Sequence, residues 1–233
     1  MIRRRYYYML MVSLPYLPRF DRAERLPINR DRLQDRLRML EPDDADRVAS
    51  LMSFRGWADL PRAQTPDEME RDIKQVEHLM GDRRLRPVLE FPVDQRTIMA
   101  ALRRRRRGLP APAAGERWGL GPWVEHIRQN WEHPDFKLGA VFPWVPQARA
   151  HLDAGEALAL SRLLMGLVWD RMGRITEGHE FEFRAVLAYL LKWDIVQRWL
   201  SYDKDAARIR FEELLLEAVG EHNQFRAPAR SET

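Results

Sequence analysis

The chain has 233 residues, 39 basic and 35 acidic, a formal net charge of +4 and an apolar share of 45%. That length allows one large domain or two small ones, with enough apolar residues for an ordinary globular core. There is no cysteine, which excludes disulfides, thiol catalysis and cysteine-based zinc sites and fits a reducing compartment.

The basic residues are 35 Arg and 4 Lys, so each arginine carries less information than usual. Residues 1–116 hold 24 basic and 18 acidic side chains, and residues 117–233 hold 15 and 17. This mild asymmetry does not demand a nucleic-acid partner. No stretch reaches the roughly 18 apolar residues of a membrane span. The start, M-I-R-R-R-Y-Y-Y-M-L-M-V-S-L-P-Y-L-P, imitates a signal peptide. Three tyrosines open its apolar run, Pro15 and Pro18 interrupt it and no small-residue cleavage site follows, so we read no cleaved signal.

In chain order, Tyr6–Leu14 is apolar without a period and reads as a buried strand or the first turns of a helix. Asn29 or Asp31 can cap a helix through Leu40, with Leu33, Leu37 and Leu40 on one face. Pro42 suits the first turn of a helix to about Arg55, with Asp43, Asp44 and Asp46 at its positive end. Thr65-Pro66-Asp67-Glu68 opens another, with Ile73, Val76 and Met80 inward and Gly81 closing it. Asp94 is expected to cap a helix over 95–107 that ends in five consecutive arginines. Gly108–Gly115 (G-L-P-A-P-A-A-G) resembles a linker.

Beyond it, Gly121-Pro122 starts a helix to about Trp131, and Phe136–Pro146 reads as a packed irregular connector before a short turn at 148–152. Glu156–Ile175 is a long amphipathic helix. Gly178 separates it from F-E-F-R-A-V-L-A-Y-L-L-K-W-D-I-V-Q-R-W-L at 181–200. That stretch is apolar nearly all round, which marks a helix buried on several sides. Its expected core residues are Phe183, Leu187, Tyr189, Leu190, Trp193 and Trp199. Asp194 and Arg198 are spaced to pair, and Lys192 is expected to lay its stem over the tryptophans. Asp203 caps a last helix to about Val219, followed by a polar tail.

The expected fold is therefore all-α, an irregular bundle of about eight or nine helices opened by a short strand or helix. The expected division is a helical part at 1–107, a linker at 108–115, a helical part at 116–220 and a disordered tail at 221–233, or one domain overall.

Motifs that carry chemistry are scarce. Arg103, Arg104, Arg105, Arg106 and Arg107 could hold phosphate or an acidic protein, as could Arg3, Arg4 and Arg5. The competing reading of the longer run is a cationic helix end favoured by the helix dipole. No two histidines have metal-ligand spacing, and the acid pairs are explained by capping. No phosphate-binding glycine loop, dinucleotide fingerprint or serine elbow occurs. We expect no catalytic residue, metal or cofactor.

Three stretches carry a resemblance: Y-Y-Y-M-L-M-V-S-L-P-Y-L-P, H-P-D-F-K-L-G-A-V-F-P-W-V-P at 133–146, and the apolar stretch at 181–200. Together they resemble a bacterial family of unknown function encoded within V/A-type ATP synthase operons. Its members sit where the gene for the C-type central-stalk adaptor (d-type in eukaryotes) is expected. The resemblance extends to about Val219, and its motifs read as core and turn residues. It implies a cytoplasmic adaptor, peripheral to the membrane, whose partners are the central-stalk subunits and the membrane rotor ring. C-type adaptors are longer, with three related helical units that this chain does not repeat. The alternative is a helical module that binds nucleic acid or an acidic partner through the arginine-rich segments.

Overall fold

The computed structural model describes residues 6–53 and 66–202. Arg3, Arg4, Arg5, the expected last helix and the polar tail lie outside the described residues. The fold is all-α. The helices are α1 (Tyr8–Ser13), α2 (Arg30–Leu37), α3 (Pro42–Ser53), α4 (Pro66–Gly81), α5 (Arg86–Arg106), α6 (Trp123–Gln129), α7 (Val145–Ala154) and α8 (Ala157–Thr176). A ninth, α9, covers 183–202. A 3-10 turn at Phe20–Arg22 joins the first two.

The opening segment is mainly helical, with one strand-like contact. Tyr6 forms an isolated antiparallel bridge with Glu182, and Tyr7 N donates to Phe181 O at 2.6 Å. This ties the opening residues to the start of α9. Tyr7, Leu10, Leu14 and Leu17 are buried, so the segment is part of the core. Asn29 caps α2 by accepting from Arg32 N at 2.9 Å, and Leu33, Leu37 and Leu40 face inward.

One helix differs from expectation. Asp94 is not an N-cap, because α5 begins eight residues earlier at Arg86 and passes through Pro92. An interior proline removes one rung of the hydrogen-bond ladder at a cost of about 3 kcal/mol. Burial of Val88, Leu89 and Val93 around Pro92 offsets that cost, at roughly 1.5–3 kcal/mol per fully buried side chain. The connector expected over Phe136–Pro146 is shorter, because Pro146 sits at the start of α7. A proline there gives up an N–H that has no partner in any helix.

α5 is the strut of the molecule, packing against α4, α6, α7 and α8. Its first half supplies Val88, Leu89 and Val93 to a core shared with α1–α4 and α9. Its second half supplies Ile98, Met99, Ala101 and Leu102 to a core shared with α6, α7 and α8. The segment 108–115 between α5 and α6 is mostly exposed, with Pro112 buried. Arg104 Nε donates to Pro110 O at 2.9 Å, and Ala113 N donates to Glu116 Oε2 at 2.9 Å.

α9 is buried along most of its length. Phe183, Leu187, Leu190 and Trp193 are all under 9% exposed. Trp193 Nε1 donates to Ile28 O at 2.8 Å. Tyr189 and Trp199 are half-buried against the core. The Tyr189 hydroxyl donates to Pro15 O at 3.0 Å, and burial pushes its pKa up. The Lys192 ammonium lies 5.2 Å from the centre of the Trp169 ring, and burial lowers its pKa. Asp194 and Arg198 pair as their spacing predicts.

Candidate functional site

Both ends of α5 gather arginines, and they do so differently. At its C-terminal end, two residues of the run Arg103–Arg107 are occupied by the protein itself. Arg104 pairs with Glu116. Arg105 donates to the carbonyls of Trp131 at 3.2 Å and His133 at 2.6 Å, and also to that of Pro134. Its guanidinium lies over the Phe136 ring at 4.2 Å. Phe136 and the next residue, Lys137, have positive φ values of 56° and 55°, a conformation that non-glycine residues rarely adopt. Asp135 accepts from Lys137 N and Gly139 N, both at 3.0 Å. Arg105 and Asp135 thus hold the unusual turn of the 133–146 motif from both sides. Burial pushes the Arg103 guanidinium down to about 10, with Arg107 adding to the effect. Only Arg106 and Arg107 of the five are exposed.

At the N-terminal end, the turn between α4 and α5 sends three consecutive residues to three places. Asp82 takes Arg47 Nε at 2.7 Å. Partial burial raises the pKa of Asp82, but hydrogen bonds from Arg84 N, Arg47 and Leu85 N outweigh it and hold the group below the usual carboxylate range. Arg84 turns inward to Asp44, with contacts of 2.6 and 2.9 Å. Arg83 faces a surface cleft.

Asp44 has no exposed surface. It accepts from Arg84, from Arg47 at 3.1 Å and from the Tyr7 hydroxyl at 2.5 Å. The sequence suggested only a dipole-favoured acid at the start of α3. The structure makes it the centre of a buried knot linking the residue before α1, α3 and the 82–85 turn. A buried carboxylate needs this partnership, because its desolvation is otherwise prohibitive.

The cleft beside the knot has a volume of about 510 Å³. Arg83 comes from the turn, Arg86 and Glu90 from α5, Arg171 and Arg174 from α8, and Arg184 from α9. Glu177 and His179 close it from the loop between α8 and α9. Five arginines face two glutamates, a net of +3 with His179 neutral. Arg86 is engaged by Glu90 at 2.8 Å, and Arg184 by Glu182 at 3.1 Å. His179 Nδ1 meets the other oxygen of Glu182 at 2.9 Å. Arg83, Arg171 and Arg174 make no ion pair among the described residues. Arg171 Nε is sealed from solvent and finds no acceptor there. The first turn of α5 also borders the cleft, with its Arg86 and Val88 amides bonded to Asp82 O and Leu85 O.

Sequence reasoning missed this cleft, because its arginines lie up to a hundred positions apart and no local pattern joins them. Among the described residues no cluster of His, Asp and Glu could hold a metal, and no helix is long and apolar enough to cross a membrane.

The molecule is thus an all-helical protein with a basic cleft between α5, α8 and α9. It belongs to the family described as protein of unknown function (DUF2764), whose model matches residues 67–220. No curated protein and no solved structure matches the chain.

Proposed function

We propose that this chain is a non-catalytic adaptor of a V/A-type rotary ATPase, similar to the C-type (eukaryotic d-type) adaptor, linking the central rotor shaft to the membrane proteolipid ring. It would work in the cytoplasm, held to the membrane through the complex. The observation that carries this reading is the double face of the first resemblance motif. Tyr7, Leu10, Leu14 and Leu17 point into the core. Met9, Val12 and Tyr16 are 79%, 77% and 85% exposed, and Tyr6 and Tyr8 about half. Packing explains the inward residues, whereas the outward ones are neither core nor turn residues as the motif had suggested. Tyr6 stacks on Tyr8 at 5.6 Å, and Tyr8 meets Phe181 at 4.7 Å, which extends the apolar surface to the start of α9. Exposed aromatic and apolar patches mark protein contacts, and tyrosine is enriched at their energetic centres. α5, at about 1.5 Å per residue, is a strut roughly 30 Å long through both cores, suited to transmitting torque.

The test is affinity purification of a tagged copy from its own cells, with Met9→Glu/Val12→Glu as the variant. The expected result is recovery of ATPase central-stalk and ring subunits with the wild type, and their loss with the variant at unchanged melting temperature. Recovery of nucleic acid or an unrelated complex without ATPase subunits contradicts the adaptor reading and favours the arginine-dependent alternative.

A further inference from the structure

We infer that the cleft between α5, α8 and α9 is a binding site for a compact oligophosphate, an anion with several adjacent phosphate groups and no need of a base or sugar. The placement of the unpaired charge leads there. Arg83, Arg171 and Arg174 converge from two elements without an acid partner among the described residues, while the other two arginines of the cleft, Arg86 and Arg184, each have one. Guanidinium forks match phosphate oxygens in pairs, so three of them can engage successive phosphates.

The start of α5 offers no free amide to an anion, because Arg86 N and Val88 N donate to Asp82 O and Leu85 O and Pro87 has none, so the site rests on its side chains. The volume of about 510 Å³ lies within the range of small-ligand sites. The lining argues against a nucleobase, because Pro87 and Ile175 are its only aliphatic members and it offers no aromatic face beyond the His179 imidazole, which Glu182 holds. Glu90 and Glu177 at the same cleft raise selectivity by repelling anions that cannot reach all three free guanidiniums at once.

The inference goes beyond the adaptor reading and does not depend on it, since it is measured on the isolated full chain. Isothermal titration with inorganic tripolyphosphate, at fixed ionic strength, should give saturable binding near one ligand per chain. Arg171→Gln/Arg174→Gln should weaken it at least about tenfold, the loss of charge-assisted hydrogen bonds. Arg106→Gln/Arg107→Gln, which removes the same charge from exposed positions, should leave it unchanged. ATP should bind about as well as tripolyphosphate. The exposed Arg174→Ser variant alone should weaken binding severalfold, and it keeps the test decisive if the double variant fails to fold. Equal weakening by the two double variants, or no saturable binding, overturns the site. ATP or an oligoglutamate peptide binding much more tightly than tripolyphosphate overturns the ligand class.

Discussion

Each end of α5 gathers five arginines, two of them engaged and three without an ion pair among the described residues, and the ends differ in where the unpaired three point. At the C-terminal end the residues are adjacent in sequence, two are spent on the protein itself, and the exposed pair Arg106 and Arg107 faces solvent rather than a shared cleft. Arg104 answers Glu116 and Pro110, and Arg105 fills the carbonyls of the 131–134 turn. At the N-terminal end they come from α5, α8, α9 and the 82–85 turn, and three of them face the cleft without an ion pair among the described residues. Charge density along a chain therefore says little about charge available to a partner. Availability depends on whether the backbone carbonyls and carboxylates nearby are already asking for donors.

The sharpest way to break the comparison is at the knot that separates structural from free arginines. Asp44→Ala strands Arg84 and Arg47 without their shared carboxylate, and breaking such a buried pair costs about 3–5 kcal/mol. Urea unfolding should show that loss, and a change below about 1 kcal/mol would mean the knot is not a structural anchor.

The middle of α5 gives a smaller effect with a pH signature. Burial pushes the Asp94 carboxyl up to about 6, with Trp123 opposing through a hydrogen bond and Glu90 adding to the rise. The folded state then holds the proton more tightly than the unfolded chain, so stability falls as pH rises from about 4 to about 6. Discounted for partial exposure, the fall should be about 1–2 kcal/mol. Thermal melts of Asp94→Asn should lack this slope, and an unchanged slope would exclude Asp94 as its source.

Much of the fold was legible in the sequence because local signals agreed with packing. Asn29 caps α2, Pro42 opens α3, Gly81 ends α4 and Gly178 precedes α9. The apolar circumference of 181–200 predicted its burial, and Lys192 lies over Trp169 as its place among apolar neighbours implied. The start of α5 was hidden because Pro92 and Asp94 imitate a helix entry, while the burial that outweighs them is tertiary. Asp44 imitated a cap for the same reason. Nothing in the sequence near Arg83 distinguishes it from Arg84, yet one faces the cleft and the other closes the knot. The positive φ at Phe136 and Lys137 was equally hidden, since neither residue type signals it and the support comes from Arg105, about thirty residues upstream.

The most direct measurement compares the stability of two variants that each remove charge from one end of α5, by urea unfolding at low and high salt. Arg105→Gln should destabilise by about 1 kcal/mol at both salt concentrations, because it removes hydrogen bonds to the carbonyls of Trp131, His133 and Pro134 rather than a screened charge. Arg174→Gln should leave stability unchanged or raise it slightly at low salt, by relieving repulsion within the cleft, with the difference vanishing at high salt. Destabilisation by Arg174→Gln together with tolerance of Arg105→Gln would contradict the assignment of a structural role to Arg105 and of free charge to Arg174.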